Sequence, residues 1–136
     1  MSASYNVRNV KAIEFVVYGE PVPKQSYRAV KGGGYTDPRV KAWQAAVAWF
    51  AREAMAGCEP LTGSVTVYLD FGLGNSRRVD LDNLSKGVLD ALNGIVFKDD
   101  SQVAILNLMK RVDEHPGVFV LIWPGIWPFE QAPGAG

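Results

Sequence analysis

The 136-residue sequence contains one cysteine, Cys58, and one histidine, His115. A single cysteine cannot form an internal disulfide, which fits a reducing compartment, and a single histidine excludes metal or nucleophile sites built on histidine clusters. The longest apolar run, residues 118–123, is far shorter than the roughly 20 residues of a membrane-spanning helix. The first residues, MSASYNVRN, lack the apolar core of a signal peptide. We therefore expect a cytoplasmic protein with no membrane association.

Net charge is also absent, because 14 Lys and Arg residues balance 14 Asp and Glu residues. A net charge of zero does not indicate a binding partner. It does not exclude nucleic acid either, because binding depends on where the basic residues lie. Residues 1–41 hold seven basic and three acidic residues, whereas residues 76–111 hold six and five. With 48% apolar residues, the chain has enough material for one globular core.

The hydrophobic pattern predicts the element order β-α-β-α-β-β. Strands are expected over residues 12–18, 64–71, 102–111 and 117–123, with the last strand central in the sheet or covered on both sides. One helix is expected to begin at Asp37-Pro38, and a second to carry the stripe Leu81, Leu84, Val88, Leu92. Residues 113–117 are expected to form a hairpin connection between the last two strands. We predict a single α+β domain over residues 1–124, a mixed sheet with two main helices, followed by a Pro/Gly-rich tail, residues 125–136.

Acidic residues cluster at the start of the second helix and again after it. Asp80 and Asp82 would point about 200° apart within a helix, so they share a site only if Asp80 is the cap and Asp82 lies in the first turn. Helix capping alone is the competing explanation of this pair. Lys86 follows Asp82 by one helical turn. The spacing leaves open whether Asp99-Asp100 returns to the start of the helix or stays at its far end.

Carboxylates brought together repel one another, so a cluster requires neutralising cations. These are either Lys and Arg side chains or a hard divalent metal with oxygen ligands, such as Mg²⁺. An acidic metal site beside basic loops is the arrangement that phosphodiester hydrolysis requires. The metal activates water and stabilises the leaving oxygen, and the basic side chains hold the phosphate backbone.

The ordered motifs D-x-D-N-x-x-K (80–86), DALNG (90–94) and DDSQV (99–103) resemble the RusA family of Holliday junction resolvases, found in bacteria, prophages and phages. Residues 19–24 and 35–38 are more weakly similar. The resemblance implies a RusA-like fold and a homodimer that uses Mg²⁺, with Mn²⁺ as a substitute, and no small organic cofactor. It implies cutting of four-way DNA junctions by paired symmetric nicks, for which we expect 5′-phosphate and 3′-hydroxyl ends. The residues that match its motifs are the metal ligands Asp80, Asp82 and Asp100, the catalytic Lys86, and the supporting residues Asn83 and Asp99.

Basic residues near these motifs are candidates for contacts with the DNA backbone, namely Lys24, Arg28, Lys31, Arg77, Arg78, Lys98 and Lys110. A solvated loop is the competing explanation for the first three.

Three other functions compete with a junction resolvase. The first is a broader nuclease acting on flaps or forks, which the acidic motif does not distinguish from a resolvase. The second is a junction-binding protein without turnover, which the carboxylates argue against because they do not help to bind phosphate. The third is a small-molecule phosphohydrolase, which the lack of a Gly-rich phosphate loop argues against.

Overall fold

A computed structural model describes residues 12–24, 29–30, 33–34, 37–75 and 78–126 of the chain. A mixed four-stranded sheet and two helices form one α+β domain, as predicted. Two antiparallel strands of two residues each lie inside the expected first loop. In chain order, the elements are β1 (Ile13–Tyr18), β2 (Ala29–Val30), β3 (Gly33–Gly34), α1 (Pro38–Met55), β4 (Val65–Leu73), α2 (Leu81–Leu92), a one-turn 3-10 helix (Asp100–Gln102), β5 (Val103–Val112) and β6 (Gly117–Pro124).

The strand order in the main sheet is β1-β6-β4-β5. β6 is antiparallel to both of its neighbours, so the most apolar strand lies inside the sheet, as its composition predicted. β4 and β5 are parallel, and α2 is the crossover between them. A crossover helix must travel back along the sheet before the next parallel strand begins. The two ends of α2 therefore lie at opposite ends of β4 and β5.

The hairpin predicted between the last two strands is wrong, because β4 lies between β5 and β6. The short connection instead crosses the end of β4, where the Asp113 N–H donates to the Leu73 carbonyl at 2.7 Å. The crossing is close, since a Cβ added to Gly72 would lie 3.0 Å from the Asp113 Cβ. Sequence adjacency suggested pairing, but the α2 crossover had already placed β5 on the outer side of β4.

Both helices pack on one face of the sheet. Asp37 caps α1 by accepting the Arg39 N–H at 2.8 Å, and Pro38 is its first residue, as predicted. The buried side of α1 turns gradually around the helix, because 3.6 residues per turn is not a whole number. It buries Val40, Trp43, Val47, Ala51 and Met55, whereas Phe50 and Ala54 are only partly buried.

The core between the helices and the sheet is apolar. It includes Val67, Leu69 and Phe71 of β4, and Leu84 and Val88 of α2, all of which are 1% exposed or less. None of the helices in the described part of the chain has the length and hydropathy that a bilayer crossing requires.

Candidate active site

The amino-terminal end of α2 carries the first two predicted acids. Asp80 is the helix cap, with an extended backbone, and its carboxylate accepts the Asp82 N–H at 3.1 Å. Asp82 lies in the first turn, so both carboxylates lie where the helix dipole favours negative charge. This is the arrangement that the sequence required for the pair to share a site. Capping accounts for Asp80, but it gives no role to the exposed Asp82 side chain, which makes no hydrogen bond or ion pair with the described residues.

The predicted lysine and asparagine lie on the same helix. Lys86 is exposed one turn after Asp82, and within the described ranges its ammonium has no partner. Asn83 is partly buried, and its carbonyl accepts the Lys24 N–H at 3.0 Å. Asn83 thus connects α2 to the segment that follows β1, while Lys86 presents a positive charge one turn after Asp82 that no described residue pairs with.

An open cleft of about 610 Å³ lies next to Asp80, between the end of β5 and the segment that leads into α2. Arg78 lies on its rim and is exposed, consistent with its predicted contact to DNA backbone. Lys110 also lines the cleft, but its ammonium donates to the Val79 carbonyl. The cleft is lined by Leu73, Asn75, Arg78, Val79, Asp80, Lys110, Arg111 and Val112.

An ion-pair cluster beside the cleft was missed by the sequence analysis. The Arg111 guanidinium lies 2.9 Å from Asp113 Oδ2 and 3.4 Å from Asp70 Oδ1. The available signal was Asp70 itself, a charged residue within the apolar strand β4. The cluster holds Arg111 against the sheet, so this guanidinium has protein partners before any DNA approaches.

The other predicted acids lie past the far end of α2. The Asp99 carboxylate caps the 3-10 helix by accepting the Ser101 N–H at 2.9 Å, and bonds from Ser101 lower the pKa of Asp99 below its ordinary value of 3.8. Asp100 is partly buried, and its carboxylate makes no bond to any residue that the structure describes. Among the described residues, the Asp100 carboxylate is thus unengaged, whereas the Asp99 carboxylate caps the 3-10 helix. The preference of the motif for Asp100 as the ligand stays a prediction.

Gln102 fastens this turn to the start of β4. Its side-chain amide donates to the Leu61 and Gly63 carbonyls at 3.0 and 2.9 Å. Its side-chain oxygen accepts the Lys98 and Asp99 N–H groups at 2.9 and 3.1 Å. The turn is thus held at the edge of the sheet where β4 begins.

Asp100 and Asp80 consequently lie far apart in one protomer. Val103, at the start of β5, pairs with Val65, whereas Lys110, which reaches the residue before Asp80, pairs with Phe71. The seven residue steps between them span about 23 Å at roughly 3.3 Å per residue. A single metal site formed by all three aspartates of one chain is therefore not present, and the described residues hold no group of three acidic, His or Cys side chains within metal reach.

Besides Lys110, the predicted DNA-binding residues divide into three groups. Lys24 has a protein partner, because its ammonium is paired with Asp90 and holds the segment after β1 on α2, and its contact with DNA stays a prediction. Arg78 and Lys98 are exposed, at opposite ends of α2. Arg28, Lys31 and Arg77 lie outside the described residues.

Comparisons with known proteins agree with the motif. Residues 18–123 match the family model described as endodeoxyribonuclease RusA. The chain is 34% identical over 134 residues to the uncharacterized protein YqaN of Bacillus subtilis (strain 168), covering 81% of this chain and 94% of YqaN. It is 30% identical over 122 residues to the crossover junction endodeoxyribonuclease RusA of Aquifex aeolicus (strain VF5), covering 87% of this chain and 96% of that protein. The chain therefore belongs to the RusA endodeoxyribonuclease family.

Proposed function

We propose that the protein is a metal-dependent endonuclease that resolves four-way DNA junctions by paired symmetric nicks, leaving 5′-phosphate and 3′-hydroxyl ends. The observation that carries the proposal is the exposed acidic end of α2 in a chain of this family, where Asp80 and Asp82 are followed by Lys86, which has no partner among the described residues. The name of the Aquifex aeolicus relative, a crossover junction endodeoxyribonuclease, supports the choice of substrate.

The side chains at this end of α2 fit a hard divalent cation. Asp80 and Asp82 offer carboxylate oxygens in the first turn, and the Asp82 carboxylate has no competing partner among the described residues. Mg²⁺ commonly takes one or two carboxylates and completes its shell with water and substrate phosphate oxygens. When bound, Mg²⁺ or Mn²⁺ supplies Lewis-acid stabilisation of charge on the scissile phosphate. We propose no organic cofactor.

Each of the chain's own residues at this site has a separate role. Asp80 and Asp82 would hold the ion, and the capping bond from the Asp82 N–H orients the Asp80 carboxylate. Lys86 places positive charge one turn away, where it stabilises charge that develops on the phosphate or the leaving oxygen. Arg78, on the rim of the cleft, holds the DNA backbone through its phosphates.

A homodimer explains both the symmetric nicks and the distant Asp100. Two nicks related by symmetry require two sites, which a two-fold dimer provides. In a dimer, Asp100 of the partner subunit could complete the site that Asp80 and Asp82 begin. This arrangement would make each site incomplete in the isolated protomer.

The outer edge of β5 is the surface we propose for this dimer. β5 is an edge strand of ten residues, and Leu106, Met109 and Val112 are 38%, 57% and 59% exposed. A long edge strand with exposed apolar side chains favours pairing with another strand. Antiparallel pairing of two β5 strands about a two-fold axis would place the start of one beside the end of the other, and with it Asp100 beside the opposite acidic end of α2.

A nicking assay tests the nuclease. Wild-type protein and an Asp82→Asn variant are incubated with a four-way junction and with linear duplex of the same sequence, with and without Mg²⁺. We expect paired nicks on the junction that require Mg²⁺, and a loss of about 100-fold or more in Asp82→Asn. Junction binding by the variant should be unchanged, because removal of a carboxylate does not weaken attraction for phosphate. Glu53→Gln, an exposed acid on α1, is the matched control.

Other outcomes separate the competing functions. Equal cutting of flaps, forks and junctions would retain the active site and replace the substrate. Junction binding without any cutting would overturn the nuclease and leave a binding protein. Full activity of Asp82→Asn would remove Asp82 from the catalytic site.

A further inference from the structure

Lys110 projects toward the start of α2. It pairs in register with Phe71 of β4, and paired residues on neighbouring strands point to the same face of a sheet. Phe71 is fully buried on the helix-covered face, so the Lys110 side chain leaves the sheet on that face. Its ammonium donates a hydrogen bond to the Val79 carbonyl. Lys110 is exposed on the cleft, and its ammonium is engaged there by the segment that precedes the acidic motif.

Val79 is positioned so that this bond bears directly on Asp80. Val79 is 8% exposed and belongs to the apolar core, while Asp80 follows it in an extended conformation with φ −77° and ψ 121°. On its other side, the Asp80 carbonyl accepts the Leu84 N–H at 3.0 Å. The peptide before Asp80 is thus held by β5, and the peptide after it by the first turn of α2.

We propose that Lys110 is a positioning residue of the nuclease site, which acts through Val79 to set where the Asp80 carboxylate lies. The inference rests on the proposed function. It assigns Lys110 a different role from the phosphate contact that the sequence suggested, because its ammonium already donates to the Val79 carbonyl, although the side chain is exposed on the cleft. Groups that orient a metal ligand affect metal affinity while leaving the substrate-binding surface intact.

The test compares Lys110→Met, which keeps the length of the side chain and removes the donor, with Lys41→Met. Lys41 is an exposed lysine on α1 that does not line the cleft. Three quantities are measured: Mn²⁺ affinity by titration calorimetry, junction affinity without metal at several salt concentrations, and single-turnover cleavage in Mg²⁺. For Lys110→Met we expect Mn²⁺ affinity and the cleavage rate each to fall about 10- to 100-fold. Junction affinity and its salt dependence should not change, and Lys41→Met should match wild type throughout.

A conservative variant guards against a simple folding defect. Lys110→Arg keeps a positive donor on the same strand, so we expect it to recover most of the Mn²⁺ affinity and cleavage. If Lys110→Met does not fold, as judged by circular dichroism, Lys110→Arg and Lys110→Gln carry the same comparison. Mn²⁺ affinity that is near the wild-type value in Lys110→Arg and partly lost in Lys110→Gln supports the proposal. Equal Mn²⁺ affinity in Lys110→Arg, Lys110→Gln and the wild type overturns it.

Two further results overturn the role of Lys110 in different ways. Weaker junction binding with a salt slope reduced by about one, at unchanged Mn²⁺ affinity, would identify Lys110 as a phosphate contact. Unchanged Mn²⁺ affinity and cleavage in Lys110→Met, beside an active wild type, would remove Lys110 from the site while leaving the nuclease intact. A wild-type protein that neither binds Mn²⁺ nor cuts DNA would instead overturn the proposed function itself, and the role of Lys110 with it.

Discussion

The two ends of α2 hold the predicted acids in different ways. At the start of the helix, Asp80 caps the first turn and Asp82 is open to solvent, with Lys86 and a cleft beside them. Past the end of the helix, the Asp99 carboxylate caps the 3-10 helix, and Gln102 fastens this turn to the residues just before β4. The acids at the first end are exposed to solvent. At the second end, hydrogen bonds hold the turn in place, and Asp100 is the acid that no described residue engages. Among the described residues, neither end alone gathers three ligands, which supports our proposal of a site assembled from two copies of the chain.

The largest effect we expect comes from mixing subunits that are damaged at opposite ends of α2. Asp82→Asn and Asp100→Asn should each abolish cleavage as homodimers. If Asp100 acts across the dimer, a mixed dimer of the two variants contains one intact site and one doubly damaged site. We therefore expect mixing to restore nicking of a single strand, measured on a junction labelled on each strand in turn.

The same experiment contains its own control. Asp82→Asn mixed with Asp80→Asn should stay inactive, because both changes fall at the same end of α2. Persistent inactivity of the Asp82→Asn and Asp100→Asn mixture, with mixed dimers verified by mass spectrometry, would contradict a shared site.

A smaller effect should separate the two neighbouring acids at the far end. Asp99→Ala removes the cap of the 3-10 helix, so we expect a melting temperature lower by a few degrees, while Asp100→Ala leaves it unchanged. The Asp99 pKa is lowered in the folded state, so its contribution is complete above the ordinary value of 3.8 and is lost as pH falls through the lowered folded value. Thermal melts should therefore show the difference at neutral pH and lose it near pH 2 (about two units below the ordinary carboxyl range).

A melting temperature that falls equally in both variants would contradict this division of roles. So would a difference between wild type and Asp99→Ala that grows as the solution is acidified.

The smallest effect should come from Lys24, whose charge faces α2. Lys24→Met removes its ion pair with Asp90, and because these side chains are 38% and 32% exposed, we expect a loss of only about 0.5 kcal/mol in the free energy of unfolding. Urea unfolding measures this loss, and Asp90→Asn should give a similar value. Junction affinity and its salt slope should match those of Lys41→Met, whereas a reduced slope in Lys24→Met alone would restore Lys24 as a DNA contact.

The sequence predicts best where the cause is local. Capping chemistry and apolar spacing placed Asp37, Asp80 and Asp82 correctly, because each depends on a few neighbouring residues. The four strands of the main sheet and their positions along the chain follow from alternation and composition in the same way. The acidic motif also identified the family, because the motif is long and its spacing is fixed.

What the sequence left open, missed or predicted wrongly is non-local. Whether Asp100 returns to Asp80 depends on the direction of a crossover, and local spacing carries no record of that direction. The strand pairing of β6 depends on where β5 was already placed in the sheet. The partner of Lys24 is Asp90, 66 residues away, and nothing near Lys24 indicates it. Composition and spacing indicate which secondary structure a segment can form, while the tertiary fold determines which residues it contacts.

The central position of β6 has a consequence for how the chain assembles as it is synthesised. Val120 of β6 pairs with both Phe15 of β1 and Leu69 of β4, so the strand that joins the two sides of the sheet is made after all the others. β4, α2 and β5 can form a local unit early, but β1 must wait for a partner more than a hundred residues later in the chain. Such long-range closure slows folding. The nascent protein therefore completes its sheet only when the last strand leaves the ribosome.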